Sequence, residues 1–466
     1  MQHYLVSFVV LLIFVVGIFE KIRLMRKQSA TLMIPVVSLL VFAFPIQGRA
    51  KTVHATTCSQ PNVGAAVVAT TYGDTVTVPA GTCTWTSSLT ITKGITLTGA
   101  GSSQTIIQSG TVGGYLLVYN PDSTSVSSNA RFELSDFTFD MANTGDAGIW
   151  INNTSATPIS RVVIHGNIFK NMNAGNKSLD PACLRVGENG DVYGVAYSNT
   201  FQDCKIVGQN YGNYQVSWNN TIFTYGSANN FYWEDNTMTG NSTFHYAGHG
   251  GRYVTRFNTY AFNSGTWEVV WDMHGNQPSG VYGTMGCEHY NNIIRLAGGT
   301  TVVDDRGGEC MIFNNTVSGS SGSWQIREEY DDSIDPTTNP EPQHVSNSYY
   351  FLNTFNGSNQ GLSETQDCCN AIAPNQQYWN YTSSFNGTVG VGSGLLSARP
   401  STCTTGVGYW ATDQGKWNNN HTGADGQFYK CASTNTWIQY YTPYTYPHPL
   451  RTGSPTPPTN LTVVVH

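Results

Sequence analysis

CEHYNNII, residues 287–294, returns 23 residues later as CMIFNNTV, residues 310–317. In both copies a cysteine stands five residues before an asparagine, and a bulky apolar residue stands two after it. The same unit recurs as HGNIF (165–169), YSNTF (197–201), WNNTI (218–222), EDNTM (234–238), RFNTY (256–260) and FLNTF (351–355). The anchors are Asn167, Asn199, Asn220, Asn236, Asn258, Asn292, Asn315 and Asn353. Several gaps are 21 to 23 residues and others are longer, as if loops had been inserted into a fixed unit. A unit this short cannot bury its apolar face alone, whereas stacked copies can, so the repeat describes a solenoid coil.

Coils stacked at strand spacing, about 4.8 Å, form a parallel β-helix in which equivalent residues lie in ladders. An asparagine at the turn can bond its own and neighbouring coils and tolerates left-handed backbone angles. Alternation then turns Val162, Ile164 and Phe169, or Cys310, Ile312 and Val317, toward the core. Cys287 and Cys310 share one phase and should stack within disulfide reach. Cys183 and Cys204 are 21 residues apart, with a less defined phase. All ten cysteines follow residue 50, an even number that suits an exported, oxidising setting.

The expected class is all-β: a parallel β-helix over 51–357 and a small, irregular or β C-terminal cap over 358–452. In the cap the asparagine pattern fades. Cys368, Cys369, Cys403 and Cys431 could tie it down, and DGQFYKCASTNTW (425–437) reads as a hairpin. Residues 453–466 read as a Pro-rich linker or tail. Residues 1–50 read as a hydrophobic leader. Met25, Arg26 and Lys27, an apolar run from Leu32 to Ile46, and Gly48-Arg49-Ala50 form a complete signal peptide, with an alternative start at Met1. The apolar run Leu5–Phe19 is short for a membrane span of roughly 20 residues. The expectation is therefore a secreted or cell-surface protein without stable membrane insertion after the leader is removed, and a monomer. Net charge is −7 and no Lys/Arg run follows residue 27, which argues against a nucleic-acid partner.

GDTVTVPAGTCTWTSSLTITKGITLTGAG (73–101) resembles the opening coil of the pectin-lyase-like right-handed parallel β-helix superfamily. GHGGRYVTRFNTY, WDMHG and CEHYNNII resemble a group of secreted bacterial β-helix proteins, and the resemblance covers roughly residues 60–360. It implies a right-handed solenoid. It does not imply one activity, because this fold carries lyases, hydrolases, esterases and non-catalytic tips.

Two rows of side chains could carry function. Two residues before each anchor, an outward column reads His165, Tyr197, Trp218, Glu234, Arg256, Tyr290, Phe313 and Phe351. Either its aromatic faces stack on sugar rings, or other chain segments roof it as a second core. WEVVWDMHG (267–275) reads as a strand with Trp267, Val269, Trp271 and Met273 inward, and Glu268, Val270, Asp272 and His274 on the opposite face. His245, His249, His274 and His289 fall close together, among Arg252, Arg256, Arg306 and several carboxylates. Glu234, Arg256 and the 268–274 face are expected to meet in one groove.

These residues suggest a polysaccharide lyase acting on uronate chains by β-elimination. Arg256 and Arg252 would neutralise the uronate carboxylate. His274, oriented by Asp272, or else His249 would take the C5 proton, and Tyr290 would protonate the leaving oxygen. Trp218, Tyr197, Glu234, Phe313 and Arg306 would bind the chain. Family members often use Ca²⁺, which the carboxylates here could bind. The alternatives are a non-catalytic glycan-binding or adhesin-type surface protein, and a glycoside hydrolase. GHG (248–250) and Asp304-Asp305 resemble polygalacturonases in isolation, but their order along the chain is reversed.

Overall fold

The computed structural model describes residues 50–172, 181–220, 223–240, 243–262, 269–276, 282–327, 329, 343–365 and 372–452. The leader (bar Ala50), the Pro-rich tail, Trp267, Glu268, Cys368 and Cys369 lie outside these.

The chain from Thr52 to Asn380 winds as a parallel β-helix. Among the described residues, one sheet has twelve strands, from Thr52–His54 to Tyr378–Asn380, and a second has nineteen. Coil stacks on coil in parallel, as in Cys287↔Cys310 and Tyr290↔Phe313. The helix Gln60–Val68 closes the first coil by burying Val63, Ala66 and Val67. A capped end of this kind shields strand edges that would otherwise pair with other chains.

The anchoring asparagines form one buried carboxamide ladder. The backbone N–H of Phe137 donates to Asn167 Oδ1 (3.1 Å), that of Asn167 to Asn199 (3.0 Å), and that of Asn199 to Asn236 (2.9 Å). The series continues through Asn258, Asn292, Asn315 and Asn353. Each amide nitrogen also donates to a carbonyl of the preceding coil, as Asn258 Nδ2 does to Trp233 O (2.9 Å). These bonds hold the residue before each anchor in the left-handed region. Asp136, Gly166, Ser198, Asp235, Phe257, Asn291, Asn314 and Leu352 all have φ between 53° and 67°. For bulky Phe257 and Leu352 that conformation costs about 1–2 kcal/mol, which the ladder offsets.

Three expectations need correction. Asn220 ends a short helix, Tyr214–Asn220, and among the described residues the ladder passes directly from Asn199 to Asn236. In the 269–273 strand, Val270 is buried beside Trp271 and Met273, and Val269 is only half-buried. A register shift in the neighbouring strand between Thr301 and Val303 marks the departure from strict alternation. The coil ladder also runs past residue 357, to Asn380.

A four-stranded sheet follows: Val391–Gly394, Gly408–Ala411, Gln427–Ser433 and Thr436–Tyr441. Its first pair is parallel and the others antiparallel. Disulfides join Cys58–Cys83, Cys183–Cys204, Cys287–Cys310 and Cys403–Cys431. The 287–310 bridge spans adjacent coils with a Cα separation of 4.6 Å, as the repeat phase required. No helix among the described residues is long and apolar enough to cross a membrane.

Candidate functional site

The outward column of the first sheet is roofed. His165, Tyr197, Glu234, Arg256, Tyr290, Phe313 and Phe351 pair in register, as read from the sequence without Trp218. Tyr290, Phe313 and Phe351 join Tyr232, Trp410, Trp417, Phe428 and Tyr441 in a second hydrophobic cluster beneath the cap. Glu234 and Arg256 are both 0% exposed. Arg256 Nε donates to Glu234 Oε1 (2.8 Å), Nη1 to Tyr290 Oη (2.8 Å), and Nη2 to the Thr445 carbonyl (2.8 Å). Arg451 and the His448 N–H close over the other Glu234 oxygen (3.0 and 3.1 Å). Tyr197 stacks on His165 and lies under Arg451, 4.4 Å from its ring centroid. Glu234, Arg256, Tyr290, Phe313 and Tyr197 therefore join the cap to the coils and do not face a polymer in solvent. The expectation that Arg256 meets the 268–274 face is overturned, since the two lie on different sheets.

Arg252 lies 3.9 Å from Asp191 and is 5% exposed. Asp191 in turn accepts from Ser217 in the short helix, so Arg252 packs toward that helix instead of lining a groove. Trp218, in the same helix, donates Nε1 to the Gly283 carbonyl (3.1 Å). His245 and His289 point into the lumen, and burial pushes His245 down to about 3 and His289 well below its usual range.

A carboxylate under the cap gives the first test. Glu288 is fully buried; its oxygens accept from the Gly226 N–H and the Tyr441 hydroxyl, both at 2.7 Å. Burial pushes it up to about 7, against those two donors and the charge of Arg256. A raised folded-state value means that the stability is present below the unfolded carboxyl range and is lost as pH rises through about 7. Glu288→Gln removes the charge; its oxygen can accept from the Gly226 N–H while its amide nitrogen donates to the Tyr441 hydroxyl oxygen, as the protonated carboxyl would. It should stabilise cap docking by roughly 3 kcal/mol at pH 8 and change little at pH 4. Melting curves at the two pH values check this, and a wild-type cap transition indifferent to pH would sink it.

The polar face that is less covered by described residues, the open face, lies on the second sheet, where Trp150, Arg185, Tyr246, Asp272 and Gln325 are partly exposed and Gln209 and Asp304 are buried. Trp150, Arg185, Gln209, Tyr246, Asp272, Asp304 and Gln325 form one outward ladder, one residue per coil. At its C-terminal half is a dense ion-pair network. Arg306 pairs with Asp272, with Glu329 (2.9 Å) and with Asp304 (3.5 Å), and Arg327 pairs with Asp304 (2.9 Å). His274 sits between carboxylates, Nε2 3.3 Å from Asp272 and Nδ1 3.7 Å from Glu329. Burial would raise Asp272, but the charges of His274 and Arg306 outweigh it and hold it well below the usual carboxylate range. Asp272 thus lies beside His274, as expected, and Arg306, expected to bind the chain, is taken up by this network; both ring nitrogens of His274 face carboxylates. Among the described residues no group of three or more His, Cys, Asp or Glu could hold a metal ion.

Toward the other half, His249 is the reactive candidate. It follows the strand Thr243–Gly248 at φ 54° and packs between Tyr211 and Tyr214, with ring centroids 4.7 and 4.3 Å away. Burial, with the charges of Arg185 and His274 nearby, pushes it down to about 4. Its buried Nδ1 has no hydrogen-bond partner among the described residues, and neither have Arg185 Nε and both amide atoms of Gln209. Buried polar groups are normally satisfied, so these four atoms mark where water or a ligand belongs. Arg185 lies over Trp150 (5.2 Å) and Tyr211 (5.0 Å) and pairs with Glu188, which is 3.5 Å from the Tyr214 hydroxyl. Tyr246 continues the row to His274, 4.3 Å between centroids.

Arg185, Gln209, Tyr211, Tyr214 and Tyr246 stand outside the column that the anchors mark most directly. One signal was present: Gln209, Tyr246 and Gln325 each stand ten residues after an anchor, Asn199, Asn236 and Asn315.

No family model matches this chain, and no curated protein matches it. Among solved structures it is similar to Geobacillus virus E2 - ORF18, at 17% identity over 67% of this chain and 63% of that one, with a TM-score of 0.26. The alignment thus spans less than two thirds of the viral protein, and so loose a superposition carries no argument. The chain is a parallel β-helix protein with one face roofed by the C-terminal segment and one polar face less covered among the described residues.

Proposed function

We propose that this is a secreted, polysaccharide-active β-helix protein, and that its open face binds a uronate-containing glycan and cleaves it by β-elimination. The observation that carries the reading is the outward ladder of the second sheet, with His249 and Tyr214 at its edge. Consecutive ladder residues are one strand spacing, about 4.8 Å, apart along the helix axis. A polymer lying along that axis would meet one aromatic or charged side chain per coil. Trp150 and Tyr246 offer rings, and Arg185, paired with Glu188 through Nη2 but without a partner at Nε among the described residues, offers a donor for a uronate carboxylate. Neutral His249 would take the C5 proton. The C5–H electron pair would form the C4–C5 double bond, and the C4–O bond would break with Tyr214 protonating the leaving oxygen. The superfamily resemblance of residues 73–101 and the four disulfides, which suit an oxidising compartment, support the same reading. Any Ca²⁺ would enter together with the substrate carboxylate, because Asp272, Asp304 and Glu329 are engaged by arginines.

The test is to incubate residues 51–466 with pectic, alginate, glucuronan and glycosaminoglycan chains, with Ca²⁺ and with a chelator. Ultraviolet absorbance of unsaturated uronate and reducing ends are followed together. Rising absorbance is the expected result. Reducing ends without absorbance would replace elimination by hydrolysis. Silence in both, with retention on an immobilised glycan, would make the open face a binding surface only.

A further inference from the structure

A second site lies where the cap meets the coils, away from the open face. It is a pocket of about 350 Å³. Its floor is Asn291 and Asn314, stacked turn residues of successive coils, and its walls are Phe313, Trp410 and Trp417, with His421 at the rim. We propose that this pocket binds a single neutral sugar unit.

Three features argue for that chemistry. The two indoles are held rigid, and the Phe313 ring, 1% exposed with both faces stacked, backs them. Trp417 Nε1 donates to the carbonyls of Asp425 and Gly426 (3.2 Å each), and Phe313 stacks on Tyr290 and Phe351. Such fixed apolar walls suit the C–H face of a pyranose at little ordering cost. The polar groups are spread around them as hydroxyl partners. Asn314 Nδ2 donates to Asn291 Oδ1 (2.6 Å), which leaves Asn291 Nδ2 and Asn314 Oδ1 without partners among the described residues. His421 Nδ1 meets Asp425 Oδ1 (2.6 Å), which orients the exposed imidazole and presents Nε2 as a further partner. Finally, no Lys or Arg lines the pocket, and its one carboxylate, Asp425, is already bound by His421 and the N–H groups of Trp417 and Asn418. A uronate or phosphate would find no cation to pair with, whereas an uncharged ring would.

The inference does not rest on the chemistry proposed for the open face, and its failure would leave that proposal intact. The test titrates the full chain with methyl glycosides of galactose, glucose, mannose, xylose and rhamnose, and with galacturonate, followed by tryptophan fluorescence and calorimetry. At least one neutral glycoside should bind in roughly the millimolar range and shift the fluorescence. Asn314→Gly, which suits the φ of 54° at that turn, and His421→Ala should each weaken it about tenfold with little change in Tm, since both side chains are exposed. Trp417 is avoided because its loss would disturb the cap itself. No binding by any neutral glycoside, binding of galacturonate at equal strength, or binding indifferent to both substitutions would overturn the proposal.

Discussion

Arg256→Ala should release the cap without silencing the open face. The substitution leaves Glu234 in a site with no solvent access, facing Arg451 and the His448 N–H but without its main partner. Removing one member of a buried ion pair costs about 3–5 kcal/mol, because the other charge stays desolvated. The bonds to Tyr290 and to the carbonyls of Tyr444 and Thr445 go with it, and all but the first tie the coils to the C-terminal segment. The expected result is an early cap transition in a thermal melt and rapid proteolysis of residues 381–452. Arg256→Lys keeps the charge but cannot reach every partner at once, so it should lose roughly half as much stability. Binding or turnover at the open face, measured well below the melt, should stay within about twofold because Arg256 and that face belong to different sheets. An unshifted melt with lost activity would instead restore Arg256 to the groove that its sequence position suggested.

That contrast shows what the sequence made legible. The β-helix follows from the period of the asparagines, and the register of the first sheet follows with it. Every member of the His165-to-Phe351 column except Trp218 falls in place because the asparagine ladder fixes the turn beside it. What covers that column could not be read. The cap residues that roof it, such as Tyr441, Tyr444 and Arg451, are more than 150 residues away from Glu288, Arg256 and Glu234. No local pattern encodes a contact at that distance. The open face was partly legible for a different reason. Where the turn between the sheets is short, the outward residue stands ten after its anchor, as at Gln209, Tyr246 and Gln325. At Asp304, Asp272 and Arg185 longer insertions move it to twelve, fourteen and eighteen. The insertions hide the ladder from the repeat, so Asp272 is legible only through its own strand and Arg185 is not legible at all.

The same geometry separates the two histidines between which the sequence could not choose. His274 has a carboxylate at each ring nitrogen, so it serves as a strut in the Asp272–Arg306–Glu329 network. His249 has no such restraint. Burial and neighbouring positive charge keep it neutral down to about pH 4, so its lone pair is available throughout the neutral range. His249→Ala should therefore lower kcat by about 100- to 10,000-fold, the usual worth of a positioned base, with a much smaller effect on KM. His249→Phe separates chemistry from packing, since it fills the space between Tyr211 and Tyr214 and should be as inactive as the alanine variant. The pH profile adds a second, independent reading. The free imidazole is the active form, so kcat/KM should be flat from neutral pH down to about 5 and fall only as His249 takes up its proton near 4. An acid limb near the ordinary imidazole value, or full activity in His249→Phe, would remove His249 from the reaction and leave Tyr214 and Arg185 as the groups to mutate next.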